Sequence, residues 1–215
     1  MGLKRVVVTG LGAITPVGNT VGAYWAALRA GTSGAAPITR FDATKFRTRF
    51  ACEVKGYNPD DHFDRKEVKK MDLFTQFAMV AAAEAVQDAH LLDGVDKDRV
   101  GVIWGSGIGG LKSLQDECVA FGRGDGTPRF SPFFIPRMIA DLAAGHISIK
   151  YGFRGPNFVT VSACASASNA VIDAYNYIRL GMADAIVTGG SEAAITESGI
   201  GGFNALRAMS ERNDD

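Results

Sequence analysis

The run Asn157-Phe-Val-Thr-Val-Ser-Ala-Cys-Ala-Ser-Ala-Ser-Asn-Ala-Val-Ile-Asp-Ala-Tyr-Asn-Tyr-Ile-Arg-Leu-Gly181 changes its period in the middle. Phe158 to Val161 is short, apolar and β-branched, the pattern of a buried strand. From Ala165 to Leu180, Ala167, Ala170, Val171, Ala174 and Ile178 recur at helical spacing, and Gly181 suits the position just past a helix end. A strand therefore feeds directly into a helix, with Cys164 at the junction. The unpaired N–H groups and positive dipole end of a helix N-terminus favour a thiolate there. Its small neighbours Ser162, Ala163, Ala165 and Ser166 permit a tight turn and leave the sulfur approachable. That geometry resembles the nucleophile elbow of hydrolases, with Cys in place of Ser. A buried structural cysteine is the other reading open at this point. The helix is apolar over much of its circumference, which predicts a central place between layers rather than on the surface.

Outward from this stretch, strands and helices alternate. Arg5 to Thr9, Arg99 to Trp104 and Asp184 to Gly190 read as buried strands, each running into glycines, and Phe50 to Val54 is a weaker candidate. Asn19 or Thr20 can cap a first helix to about Ala30, with Tyr24, Trp25 and Leu28 on one face. Phe74, Phe77, Ala78, Ala81, Ala82, Ala85 and Ala89 form a sustained apolar face on a long helix. Further helices are expected from about Arg137 to Lys150 and around Phe203 to Ala208. This order implies an α/β layered domain with a mixed, largely parallel sheet and helices on both faces.

Gly105-Ser-Gly-Ile-Gly-Gly110 follows a strand and opens a helix, which is the form of a dinucleotide fingerprint. The acidic residue expected some 20 positions on falls at Asp125, inside a glycine-rich loop, and the motif follows the third strand rather than the first. Close backbone packing beside a pocket, with Ile108 the one projecting side chain, explains the glycines better. Phe130-Ser-Pro-Phe-Phe-Ile-Pro136 cannot be strand interior and reads as a loop over core, pocket or partner surface. His146 has no Asp or Glu within a helical turn to orient it, which favours a structural role.

With 215 residues the chain can bury a sizeable core. Its net charge of +0 gives no bulk electrostatic case for nucleic acid or an anionic membrane. Cys52, Cys118 and Cys164 are far apart and odd in number, against a disulfide framework or a CxxC metal site and in favour of the cytoplasm. No apolar run approaches a membrane span, and the N-terminus opens directly into a strand without a signal-peptide core.

Several phrases occur together and in order: Val6-Val-Val-Thr-Gly-Leu-Gly12 with Thr15-Pro-Val-Gly18, Gly105 to Gly110, Ser131-Pro-Phe-Phe134, Tyr151-Gly-Phe-Arg-Gly-Pro156, Ser162-Ala-Cys-Ala-Ser166, Gly189-Gly-Ser-Glu192, Gly201-Gly-Phe203 and Ala208-Met-Ser-Glu-Arg-Asn213. On these the sequence resembles the β-ketoacyl-acyl-carrier-protein synthases of type II fatty acid synthesis, which have a thiolase-like fold, and among them the elongating synthase II. The resemblance covers the whole chain but matches only the N-terminal half of a two-half family. It implies that residues 1–215 are that half, that the C-terminal half with the family's two histidines, its lysine and its gating loop is not present, and that the chain is not competent alone. None of His62, His90 or His146 matches those histidine motifs.

By the same resemblance Cys164 accepts an acyl chain as a thioester, and decarboxylated malonyl-carrier protein then attacks it. Ile108 matches the floor of the acyl pocket, Phe133 a residue bordering the acyl tunnel across a dimer, and Phe203 a position near the pocket, with plain packing the alternative for all three. Lys66, Lys69, Lys70, Arg129 and Arg207 match or neighbour basic positions that meet the acidic carrier protein, the alternative being a solvated face. An acyl carrier protein and a second copy of the chain are the partners implied. No cofactor, metal, nucleic acid or membrane partner is expected. A carrier-protein-binding or dimerisation module without chemistry is the second reading.

Overall fold

The computed structural model of the chain describes residues 2–214. At its centre lies β3 (Val100–Gly105), flanked by β4 (Asn157–Thr160) and β5 (Ala185–Gly190) in the order β4-β3-β5, all parallel. Every residue of β3 is buried, because a central parallel strand has neighbours on both edges and helices on both faces. Val100, Val102 and Trp104 turn to one face and Ile103 to the other, as the two-residue period requires.

The first face is covered by α3 (Leu73–Asp88) and α6 (Leu142–Tyr151), whose Phe74, Ala78, Ala82, Ala143 and Ile147 join the strand side chains in the main core. The second is covered by α7 (Ser166–Arg179), whose Ala170 and Ala174 sit on Ile103 with Phe158 and Ile186 alongside. The result is helix, sheet, helix, the layered α/β architecture expected. Antiparallel pairing lies outside this sheet, in a separate ribbon of β1 (Ala36–Pro37) with β2 (Phe50–Ala51) and in a single bridge between Thr15 and Gly18. α7 ends in a Schellman motif: Gly181 has φ +77, and the N–H groups of Gly181 and Met182 donate to Ile178 and Tyr177.

Four expectations need correction. Arg5 to Thr9 joins no ladder, and Val8 is 81% exposed. The segment is held instead at its ends, by Lys4 N–H on Arg179 O and Leu11 N–H on Asp88 Oδ2. α7 is covered on one side only: Val171, Ile172 and Tyr175 are exposed, so its apolar circumference is not sandwiched in this chain. The helix expected over 137–150 is two, α5 (Phe134–Met138) and α6, because Ile139 turns extended between them. Pro136 is tolerated in the first turn of α5, where its missing N–H has no intrahelical partner to lose. The last helix, α8 (Glu197–Ala205), starts earlier than expected, where Thr196 Oγ1 caps it by accepting from Gly199 N–H. α1 (Val21–Arg29) is capped by Thr20 as read, but Trp25 and Leu28 on it are exposed. No helix among the described residues is long and apolar enough to cross a membrane.

Candidate active site

The three strands end in register, Gly105 opposite both Thr160 and Gly190. The segments that follow them, 106–110, 161–165 and 191–192, therefore emerge side by side at the carboxyl edge of the sheet, where α/β folds gather their ligands.

Cys164 lies in a single 3-10 turn, Ala163–Ala165, between β4 and α7. Ala163 has φ +51, a left-handed conformation that costs a residue with a Cβ about 1–2 kcal/mol. Buried Ser166 holds the turn: its hydroxyl donates to Ala163 O at 2.7 Å and accepts from Ser162 N–H at 2.9 Å. Thr160 Oγ1 donates to Ser166 O at 2.7 Å, and Asn169 Nδ2 donates to Ser162 Oγ at 2.6 Å. Bonds thus bracket Cys164 on both sides while its thiol stays exposed, which is not the environment of a core cysteine. Cys52 and Cys118 are exposed too, so the braced elbow, not exposure, distinguishes Cys164.

The glycine loop is wedged against this elbow. A Cβ at Gly105 would stand 2.4 Å from the Ser166 carbonyl carbon, and one at Gly107 would stand 3.2 Å from Ala163 O. On the other side Gly110 lies against Arg137 and Met138 of α5, and its N–H donates to Met138 O. Protein backbone occupies the faces that a pyrophosphate would need, so the glycines serve close packing. Ile108 is the loop's projecting side chain, 43% exposed. Glu192 ties the loop to the end of β5, its Oε2 accepting from Gly107 N–H at 2.8 Å and Ile108 N–H at 3.0 Å. Burial pushes this carboxyl above its ordinary value, against the lowering effect of the amide donors of Ile108 and Gly107.

Phe133, half-buried, immediately precedes α5, and the glycine contacts put the loop carrying Ile108 between the Cys164 elbow and that helix. Phe203 is on α8, which meets α4 (Leu111–Arg123) where Gln115 bonds Glu197 Oε2 and Ser198 N–H. Lys66, Lys69 and Lys70 are exposed on and just after α2 (Arg65–Val68). Arg129 pairs with Asp125, and Arg207 follows α8 with φ +55; both are exposed. The basic residues therefore sit on three separate elements.

The three histidines belong to the α3–α6 side of the sheet. His62 stacks on Tyr57, which meets Phe77 of α3; His90 follows α3; His146 is on α6. Burial lowers the His146 pKa, with Lys70 adding to that and Glu67 opposing it. Among the described residues no three His, Cys, Asp or Glu side chains gather to hold a metal ion. Sequence reasoning passed over Ser166 and Glu192 as site residues. Both lay inside quoted motifs, but nothing in the spacing distinguishes a bracing hydroxyl or carboxylate from its neighbours.

Fold and site define a layered α/β protein of the thiolase-like kind with a cysteine on its strand-to-helix elbow. The chain belongs to the β-ketoacyl synthase family: residues 3–215 match the family's "Beta-ketoacyl synthase, N-terminal domain". It is similar to 3-oxoacyl-acyl-carrier-protein synthase 2 of Synechocystis sp., 50% identical over 213 residues that cover 99% of this chain and 51% of the relative. The synthase 2 of Staphylococcus aureus is 45% identical over 98% of this chain and 51% of its own length. Among solved structures, a β-ketoacyl synthase from Burkholderia phymatum superposes with a TM-score of 0.85 at 29% identity, covering 99% of this chain and 52% of that one. The chain thus spans about half the length of the curated relatives it matches. A type II polyketide ketosynthase in complex with its acyl-carrier protein shares the fold, with a TM-score of 0.81 over 94% of this chain and 55% of that one, at 24% identity.

Proposed function

We propose that residues 1–215 are the acyl-accepting N-terminal half of a β-ketoacyl-acyl-carrier-protein synthase of the elongating type, acting in the cytoplasm with Cys164 as nucleophile. The observation that carries this reading is the exposed Cys164 thiol on a braced, left-handed turn at the start of α7. The thiolate attacks the carbonyl of an acyl thioester, the bond to the carrier's sulfur breaks, and the carrier leaves as a thiolate, which takes a proton from solvent, while the acyl chain stays on Cys164. The backbone N–H of Cys164 is a donor for the oxyanion formed on the way. Ile108 and Phe133 border the acyl chain, with Phe203 beyond them, and Lys66, Lys69, Lys70, Arg129 and Arg207 attract the acidic carrier. Condensation with decarboxylated malonyl-carrier protein needs donors to an enolate. His62, His90 and His146, on the opposite side of the sheet from α7, do not supply them, so we place those donors in the part of the relatives that this chain does not span. The exposed Val171, Ile172 and Tyr175 on α7 favour a second role in dimerisation, and on their own they suit a binding module without chemistry.

Intact mass after brief incubation with an acyl-carrier protein, followed by peptide mapping, separates these readings. One acyl adduct on Cys164, absent from Cys164→Ala, is the expected result. Carrier binding with no adduct leaves the binding module, and equal labelling of Cys52 or Cys118 overturns the assignment of the nucleophile.

A further inference from the structure

Glu192 closes the motif Gly189-Gly-Ser-Glu192. It stands two residues past β5, at the same sheet edge as the elbow and the glycine loop. Its Oε2 receives two consecutive amides, Gly107 at 2.8 Å and Ile108 at 3.0 Å. A Cβ on Gly107 would be caught between that oxygen, at 3.1 Å, and Ala163 O, at 3.2 Å. The Gly107 backbone therefore lies in a slot whose walls are the Glu192 carboxylate and the residue preceding Cys164. Neighbouring bonds fix the base of the carboxylate: Ser191 N–H donates to Gly105 O, and Ser191 Oγ accepts from Trp104 Nε1, both at 3.0 Å. Inside the loop, Gly109 N–H donates to buried Ser106 Oγ. Between Gly107 and Gly109 only the Ile108 side chain is left to project, and Glu192 sets the peptide from which it projects.

We propose that Glu192 is a positioning residue that fixes Ile108 relative to Cys164 and thereby sets which acyl chain lengths the thiol accepts. The inference rests on the acyl-transfer reading above. Two amides converging on one carboxylate oxygen are charge-assisted bonds, stronger than neutral ones, and together they restrain the peptide in two directions. Without them the loop relaxes away from the elbow, Ile108 withdraws, and longer chains gain relative to shorter ones.

The test measures Cys164 acylation by a short and a long acyl-pantetheine thioester in the wild type, Glu192→Ala, Glu192→Gln and Glu192→Asp, each followed by mass spectrometry. The ratio of the two rates is taken on one sample, so a loss of folded protein cancels. In E192A the long-to-short ratio is expected to rise about tenfold, the scale on which apolar pockets discriminate chain length. E192Q keeps an acceptor oxygen for both amides and is expected to retain the wild-type ratio. E192D, one methylene shorter, is expected to shift the ratio in the same direction as E192A, and it serves if the alanine variant fails to fold. An unchanged or falling ratio in E192A or E192D overturns the positioning role while leaving the acyl-transfer reading intact. A wild type that neither thioester acylates at Cys164 overturns the acyl-transfer reading, and this inference with it.

Discussion

Replacing Gly105 by alanine perturbs the elbow from its inner side. The new Cβ would lie 2.4 Å from the Ser166 carbonyl carbon and 2.5 Å from the Ala167 nitrogen, both backbone atoms. Van der Waals contact without strain begins near 3.4 Å, so the strand and the helix must part by about 1 Å. Neither side yields freely. Gly105 ends the central strand, with its carbonyl bonded to Ser191 N–H, while Ser166 begins α7 and braces the turn with its own hydroxyl. Overpacking of this kind costs about 1–3 kcal/mol. The displacement falls on the turn that presents Cys164, and a misplacement of about 1 Å at a reacting group slows the reaction about 100-fold. Urea denaturation gives the first quantity, and the rate of Cys164 acylation by an acyl-carrier protein gives the second. Gly22→Ala is the control. Gly22 lies inside α1 with open space where its Cβ would go, and alanine there is expected to stabilise by up to about 1 kcal/mol with no change in rate. Wild-type stability and wild-type acylation in Gly105→Ala would refute the claim that the loop is wedged against the elbow.

Ser166→Ala leaves Ala163 O and Ser162 N–H without the hydroxyl they share, and it should cost about 1–3 kcal/mol in thermal or chemical denaturation; an unchanged midpoint would show that the turn is held by other means. The Asp184 carboxyl is held at about 2 by its bonds to Arg99 and Lys4, below the ordinary 3.8. The folded form therefore binds this proton less tightly than the unfolded chain, and the associated stability, present above 3.8, is lost as pH falls toward 2. Asp184→Asn should flatten that part of the acid-denaturation profile, and a profile matching the wild type would count against the pairing. Val8→Thr, on a segment outside any ladder, should change stability by no more than about 0.5 kcal/mol. A larger loss would mean that Val8 is packed inside a sheet.

Much of the architecture was legible because it depends on local period and local capping. β3, β4, β5 and α7 appear within a residue or two of their sequence signals, and Thr20 and Gly181 punctuate helices as their chemistry requires. The errors fall where a partner decides the outcome. Arg5 to Thr9 has the composition of a strand, but a strand needs a bonded neighbour, and among the described residues this segment joins no ladder. The break between α5 and α6 falls where the Met138 and Ala140 backbone lies against Gly109 of the glycine loop, a contact no propensity encodes.

The same division runs through the site. Sequence alone marked Cys164 as a cysteine at a strand-to-helix junction and the Gly105 to Gly110 run as a close-packed loop, since both follow from residue size and the change of period. Only the tertiary structure decided that these two segments touch, that Ser166 and Glu192 hold them, and that the Ala163 backbone is left-handed between them. The strands that deliver those segments are neighbours in the sheet but stand more than fifty residues apart in the chain, Gly105 opposite Thr160 and Gly190. Contacts across such separations arise from strand order and register, which pairwise spacing along a sequence does not contain.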